Sequence, residues 1–247
     1  MDLGLNGRAA LVTGGSRGIG KASAAALVRE GARVVLLGRD VAALQASAAE
    51  VGAEGYVVAD TTDDVQVRSA VAEAATRLGG LDVVVNAAAP RAAAGTPTGL
   101  EELDEADLLL NVDTKVVGYL RIVRAALPHL RARGGAVVNI SGTNARVTGN
   151  VAGSVRNIGV VALTKNLADE LGPQGVQVTC VHPGVTVTER NLGDEEYLGV
   201  AASNSMGRAP RASDVAEVVA FLASPRGGVA NGAVVTADGG RPGHIWA

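Results

Sequence analysis

The chain has 247 residues, a net charge of −3 and 2% aromatic residues, so it offers neither the basic footprint nor the stacking side chains that nucleic-acid binding needs. Ala, Val, Leu and Gly run through it evenly, with no linker, charge run, low-complexity tract or repeat to mark a boundary, and residues 1–247 read as a single domain. MDLGLNGR carries no charged segment leading into an apolar one, and no apolar run reaches membrane-spanning length, so the expectation is a cytoplasmic protein without a membrane partner.

The first element is an apolar run from Ala9 that ends in TGGSRGIG and leads into the helix-prone KASAAALVRE. Glycines at 14, 18 and 20 allow a sharp bend and a close approach to a pyrophosphate, and the amides of Ser16, Arg17 and Ile19 fall where a helix start meets an anion. The helix ends at Gly31, and a second strand, Arg33 to Leu37, runs into Gly38, Arg39 and Asp40. In a dinucleotide fold the end of this strand meets the adenosine ribose, where a carboxylate selects a 2′-hydroxyl and Arg a 2′-phosphate. Gly38 occupies the carboxylate position, Arg39 stands beside it and Arg17 lies in the first turn, so NADP(H) is expected over NAD(H).

A helix from Val41 to Val51 is followed by the strand GYVVAD, which brings Asp60 and Thr61 to its end. TDD then caps a helix reaching Leu78, and LDVVVNAAAP is the fourth strand. A helical segment from about Asp104 to Arg131, a strand from Ala136 to Ile140, a helix ending near Gly172 and a strand from Val176 to Val181 come next. A helix from Ser213 to Ala223 and a last strand from Ala233 to Thr236 complete the pattern. The strand runs are continuously apolar, as parallel strands buried on both faces require. The fold class is therefore α/β, a Rossmann-type doubly wound parallel sheet with helices on both faces.

Several segments resemble the short-chain dehydrogenase/reductase family in order and spacing: TGGSRGIG, Asp60 after the third strand, NAA at 86–88, HPG at 182–184 with Thr188 beyond it, and NGAVVTADGG. The resemblance implies that Asp60 and Thr61 border the adenine and that Asn86 and Ala87 flank the adenosine ribose. It also implies that the loop from Pro183 through Gly184 and Thr186 to Thr188 holds the nicotinamide carboxamide. A homotetramer or homodimer built on the two long helices after the fourth and fifth strands is implied as well, and residues 188–208 match the segment that covers substrate.

The same resemblance implies a catalytic Tyr-x-x-x-Lys pair, a Ser at the end of the fifth strand and an Asn on the preceding helix. Gly153 stands at the Tyr position and Asn157 at the Lys position, and none of Tyr56, Tyr119 and Tyr197 has a Lys four residues on. The usual Ser falls on Gly142, with Ser141 one place earlier. Two registers compete for the Asn position: counting from Asn86 reaches Asn111, and counting back from ALPHL reaches Lys115, which the helix favours. Lys115, Ser141 and Asn157 are thus the candidate catalytic residues, with the lysine re-entering the same cavity from the opposite helix. A cation there, partly desolvated beside a nicotinamide, is suited to proton transfer.

The expected activity is an atypical NADP(H)-dependent oxidoreductase moving hydride to or from a small carbonyl or alcohol. The alternatives are a cofactor-binding protein without turnover and a dehydratase or isomerase on the same scaffold. His182 is expected to make a structural hydrogen bond, His129 to be exposed and His244 to lie in the tail. No metal-ligand spacing joins these three. Cys180 reads as a buried thiol, and Arg156 and Arg190 as surface charges that would bind an acidic substrate only if they faced the cleft.

Overall fold

The computed structural model describes residues 1–90 and 100–242; His244 lies outside the described residues. Seven strands form one sheet in the order β3-β2-β1-β4-β5-β6-β7, and every pair is parallel. They are β1 (Ala9–Thr13), β2 (Arg33–Gly38), β3 (Gly55–Val58), β4 (Val83–Asn86), β5 (Ala136–Ile140), β6 (Gln177–Pro183) and β7 (Val234–Ala237). Helices α1 (Gly18–Arg29), α2 (Val41–Val51), α3 (Asp64–Leu78), α4 (Glu105–Val112), α5 (Gly118–Arg133), α6 (Val151–Leu171), α7 (Glu195–Ala202) and α8 (Ala212–Ala223) complete the chain.

Alternate residues of each strand feed two cores. Leu11, Val35 and Leu37 pack with α3 and α5 on one face, while Ala10, Val12, Val34 and Leu36 pack with α1 and α8 on the other. Both faces are covered, which is why the strands carry no polar alternation. Asp40 and Asp63 cap α2 and α3 through the amides of Ala43, Val65 and Gln66, satisfying donors that the first helical turn leaves open.

The expected helix from 104 to 131 is interrupted. Between α4 and α5, residues Asp113–Val117 form a π-helical turn in which the Gly118 amide reaches back to the Asp113 carbonyl. The extra residue in that turn rotates Thr114 and Lys115 inward, and both are buried. The third strand stops at Val58, so Asp60 lies in the turn beyond it, and β6 extends to Pro183 because β7 pairs with it that far.

The sheet reverses its winding at β1, with β2 on one side and β4 on the other. A crevice opens outside the carboxyl ends of these strands, as doubly wound sheets dictate. Thr13 braces it, its hydroxyl accepting from the amides of Ala87 at 3.1 Å and Ala88 at 3.2 Å.

Candidate active site

A cleft of about 540 Å³ fills the crevice. Gly14, Ser16, Arg17, Gly18, Ile19 and Gly20 line one wall. Their glycines are required by contact: a Cβ on Gly20 would stand 2.3 Å from the Gly14 carbonyl oxygen, and one on Gly14, at φ +66°, 2.8 Å from the Ala87 backbone. Ser47 holds the turn from behind, its Oγ donating to the Gly15 carbonyl at 2.7 Å. Arg39 and Thr61 line the far end and Ala87 the floor, while Lys115, Ser141, Pro183 and Thr188 line the near end, where Arg190 also faces the cleft.

Five of the expected residues do not line it. The Asp60 carboxylate turns to the Thr62 amide at 3.0 Å, the Thr62 hydroxyl at 2.8 Å and Arg39 Nη1 at 3.1 Å. Burial alone would raise its carboxyl, but these bonds hold it below the usual range. Asn86 is a strand-to-strand tie, with Nδ2 donating to Asn139 Oδ1 at 2.9 Å in the interior. Gly184 packs on Asp238, where a Cβ would fall 2.6 Å from the Asp238 Cβ. Thr186 Oγ1 donates to the Gly184 carbonyl at 2.9 Å, and its own carbonyl accepts from the Tyr197 hydroxyl at 3.0 Å. Asn157 stands behind Lys115.

Lys115 is the centre of the near end. Its Nζ donates to Asn157 Oδ1 at 2.8 Å and to the Ser141 carbonyl at 2.9 Å, and the residue is 4% exposed. Burial, and then the positive charge of Arg156, lower its pKa to about 7. Asn111, the rival register, lies a turn earlier on α4. Its Nδ2 donates to the Asp107 carbonyl at 2.8 Å, and its Oδ1 accepts from Arg156. Arg156 is therefore not a surface charge: its Nε is buried without a hydrogen-bond partner among the described residues, and burial lowers its pKa.

The Ser141 hydroxyl donates to the Asn157 carbonyl at 2.8 Å, so it ties β5 to α6, and it is the Ser141 carbonyl that meets the lysine. A Cβ on Gly142 would fall 2.8 Å from Asn157 Nδ2, so a bare position 142 and an amide at 157 belong together. At Gly153 a Cβ would meet Asn150 Cγ at 2.9 Å, and Asn150 Oδ1 caps α6 through the Gly153 amide at 2.7 Å. Position 153, where the resemblance implies a Tyr, thus abuts the side chain that caps α6.

His182 lacks the structural bond expected of it: the residue is 1% exposed, and neither ring nitrogen has a partner among the described residues. Burial, then Arg146 and Lys115, lower its pKa to about 4, so the ring is neutral. His129 is half-buried on α5. Cys180 is a buried thiol pushed up to about 11 by burial. Among the described residues no cluster of His, Cys, Asp and Glu could hold a metal, and no helix is long and apolar enough to cross a membrane.

Sequence reading missed Glu189. Its Oε2 accepts from the Gly18 amide at 3.0 Å, and its Oε1 lies 3.7 Å from Lys21 Nζ. Burial alone would raise its carboxyl, but the amide and the lysine hold it below the usual range. The one available signal was a carboxylate directly after Thr188.

A glycine-cradled crevice at the winding reversal, with cations at both ends, defines a dinucleotide-binding domain of the doubly wound class. The family model described as enoyl-(acyl carrier protein) reductase matches residues 14–241. An uncharacterized oxidoreductase of Methylorubrum extorquens is 36% identical over 249 residues, covering 96% of this chain and 98% of that one. The 3-alpha-(or 20-beta)-hydroxysteroid dehydrogenase of Mycobacterium tuberculosis is 35% identical over 246 residues, covering 96% and 90%. A short chain dehydrogenase from Burkholderia cenocepacia, solved in complex with NADP, superposes with a TM-score of 0.87 at 36% identity over 96% of this chain and 98% of that one. The chain belongs to the short-chain dehydrogenase/reductase family of oxidoreductases.

Proposed function

We propose that this single domain is an NADP(H)-dependent oxidoreductase acting on a small carbonyl or alcohol, with Lys115, Ser141 and Asn157 in place of the usual catalytic set. The observation that carries the reading is the Lys115 ammonium position, reached from the π turn between α4 and α5 yet bonded to Asn157 on α6 and lining the cleft. When bound, the nicotinamide supplies or accepts the hydride. The glycine cradle fits such a cofactor because, without Cβ atoms, the turn folds tightly against the Ala87 backbone and the start of α1 and presents backbone along the cleft wall. Arg17 and Arg39 bring two guanidinium groups and match a 2′-phosphate, for which Asp60 competes through its pair with Arg39.

Two of the three hydrogens of a Lys115 ammonium are taken by Asn157 and Ser141, which leaves one donor for a ribose hydroxyl or a substrate oxygen. With a pKa about 7 the same nitrogen gives a proton during reduction and takes one during oxidation. Ser141 and Asn157 position it. A cytoplasmic location belongs to the same reading, as does self-assembly: Leu109 and Leu110 of α4 and Val151, Val155 and Ile158 of α6 are apolar and exposed. We assign this face to a second copy of the chain, in a homodimer or homotetramer. Sedimentation is expected to show the oligomer, and Ile158→Glu to dissociate it; a monomeric wild type overturns the assignment.

The function is tested by thermal shift, since a ligand that binds only the native state raises its stability by mass action. NADPH is expected to shift the midpoint more than NADH, and Arg39→Ala to weaken NADPH about tenfold or more while leaving NADH unchanged. A larger shift with NADH sinks the cofactor preference. Hydride transfer is then read at the nicotinamide absorbance over a panel of carbonyls and alcohols; binding without any turnover returns the chain to a cofactor-binding role.

Glu189 sets a further expectation. A carboxylate on the Gly18 amide must be displaced if the cofactor's phosphates use that amide, so Glu189→Gln is expected to tighten NADP(H) by about two- to fivefold, a modest gain because the pair is half exposed. Titration of both proteins at one ionic strength checks this; equal or weaker binding by the variant refutes it.

A further inference from the structure

We propose that Lys115 is also an amine nucleophile, which condenses in the cleft with a small aldehyde or ketone to form an imine. The chain holds three lysines. Lys21 pairs with Glu50 at 2.6 Å and with Glu189, and Lys165 pairs with Asp169. Among the described residues no carboxylate lies within ion-pair distance of Lys115, whose partners are a backbone carbonyl and an amide oxygen, both neutral.

Three circumstances favour the free amine there. The residue is buried, Arg156 adds a like charge from α6, and on β6 His182 is neutral while Cys180, the one neighbour that favours the ammonium, does so less than burial and Arg156 oppose it. Desolvation beside a second cation is one way proteins prepare a lysine for attack on a carbonyl. Geometry directs the attack. An uncharged amine has two hydrogens and one lone pair; the hydrogens are drawn to Asn157 Oδ1 and the Ser141 carbonyl, so the lone pair is left for the cleft that Lys115 lines.

In the step itself the lone pair forms a C–N bond at the carbonyl carbon, and both amine hydrogens leave with the carbonyl oxygen as one water molecule. The product is a C=N bond, and no oxidant or reductant is consumed. Protonated on nitrogen, the imine withdraws electrons from the neighbouring carbon, whose C–H hydrogens then exchange with water. This activity rests on the cleft admitting small carbonyls, as in the function proposed above, and is independent of hydride transfer.

The test uses the whole chain without added nicotinamide cofactor. Propanal and sodium cyanoborohydride at pH 7, followed by peptide mass mapping, are expected to place a propyl group on Lys115 at least tenfold faster than on Lys21 or Lys165. In a second arm, acetone in deuterated water is expected to lose its methyl hydrogens faster with the wild type than with Lys115→Arg or buffer. Comparable labelling of the three lysines, or none on Lys115, overturns the proposal whether or not the variant folds. Because no cofactor is present, labelled Lys115 without an NADP(H) thermal shift would fail the cofactor reading and leave this one standing, and the reverse result would fail this one alone.

Discussion

Lys115→Met is expected to lower NADP(H)-dependent turnover by about 10²- to 10⁴-fold, the range that a positioned acid or base contributes. The same substitution removes a signature in pH. Because the folded pKa of Lys115 is depressed from 10.5 to about 7, carbonyl reduction by the wild type should decline as the pH rises through 7, while alcohol oxidation should increase. Stability follows the same group. Between about pH 7 and 10.5 the unfolded chain holds a proton at Lys115 that the folded chain has released, so wild-type stability rises with pH across this window. Conversely, the penalty of burying the lysine grows as the pH falls from 10.5 towards 7. At pH 7 it is on the order of several kcal/mol, since each tenfold loss of proton affinity on folding costs about 1.4 kcal/mol. Denaturant titrations of wild type and Lys115→Met should therefore converge or cross as the pH is raised. Parallel stability profiles, or unchanged turnover, would show that Lys115 neither titrates in the cleft nor touches the reaction.

Asn157→Lys, which introduces the residue that the family resemblance implies at that position, is expected to destabilise this chain. It places a second ammonium beside Lys115, whose Nζ now lies 2.8 Å from the Asn157 oxygen. Two like charges about 4 Å apart repel by about 4 kcal/mol even at a generous effective dielectric. Adding Lys115→Asn exchanges the two side chains and should recover most of the loss, a non-additivity that a double-mutant cycle reads directly. If the two single substitutions add, the positions do not share one pocket. Gly153→Tyr on the exchanged background then tests whether the missing hydroxyl limits the rate. Its Cβ must displace the Asn150 side chain that caps α6, so some stability is lost even where turnover rises.

The glycine turn, the buried parallel strands and the helices that alternate with them could all be read along the chain. Each depends on neighbours a few residues away: a glycine where a Cβ has no room, an apolar run, an Asp at a helix start. The candidacy of Lys115 was readable for a related reason, because a helix carries its register rigidly from ALPHL back to position 115. Its rotation was not readable. A π turn over residues Asp113–Val117 looks like ordinary helix in a linear pattern, yet it turns the lysine inward.

Contacts between distant residues account for the other differences. Asn86 found Asn139 across the sheet, 53 positions on, and Asp60 turned to Arg39 across a strand end. Arg156 met Asn111 on another helix, and Glu189 came back 171 positions to the amide of Gly18. His182 was left inside without a hydrogen-bond partner among the described residues. None of these depends on local propensity, since each follows from where packed strands, helices and loops set down a polar group, which then takes an oxygen or nitrogen within reach or, as at His182, takes none among the described residues. Local chemistry was thus enough to specify a dinucleotide fold, while Gly153 and Asn157 at the positions expected for Tyr and Lys followed from the family resemblance. Only the packing of α4 and the π turn after it against α6 decided that Lys115, Asn157 and the Ser141 carbonyl meet in one desolvated pocket, because a separation of 42 residues along the chain sets no distance in space.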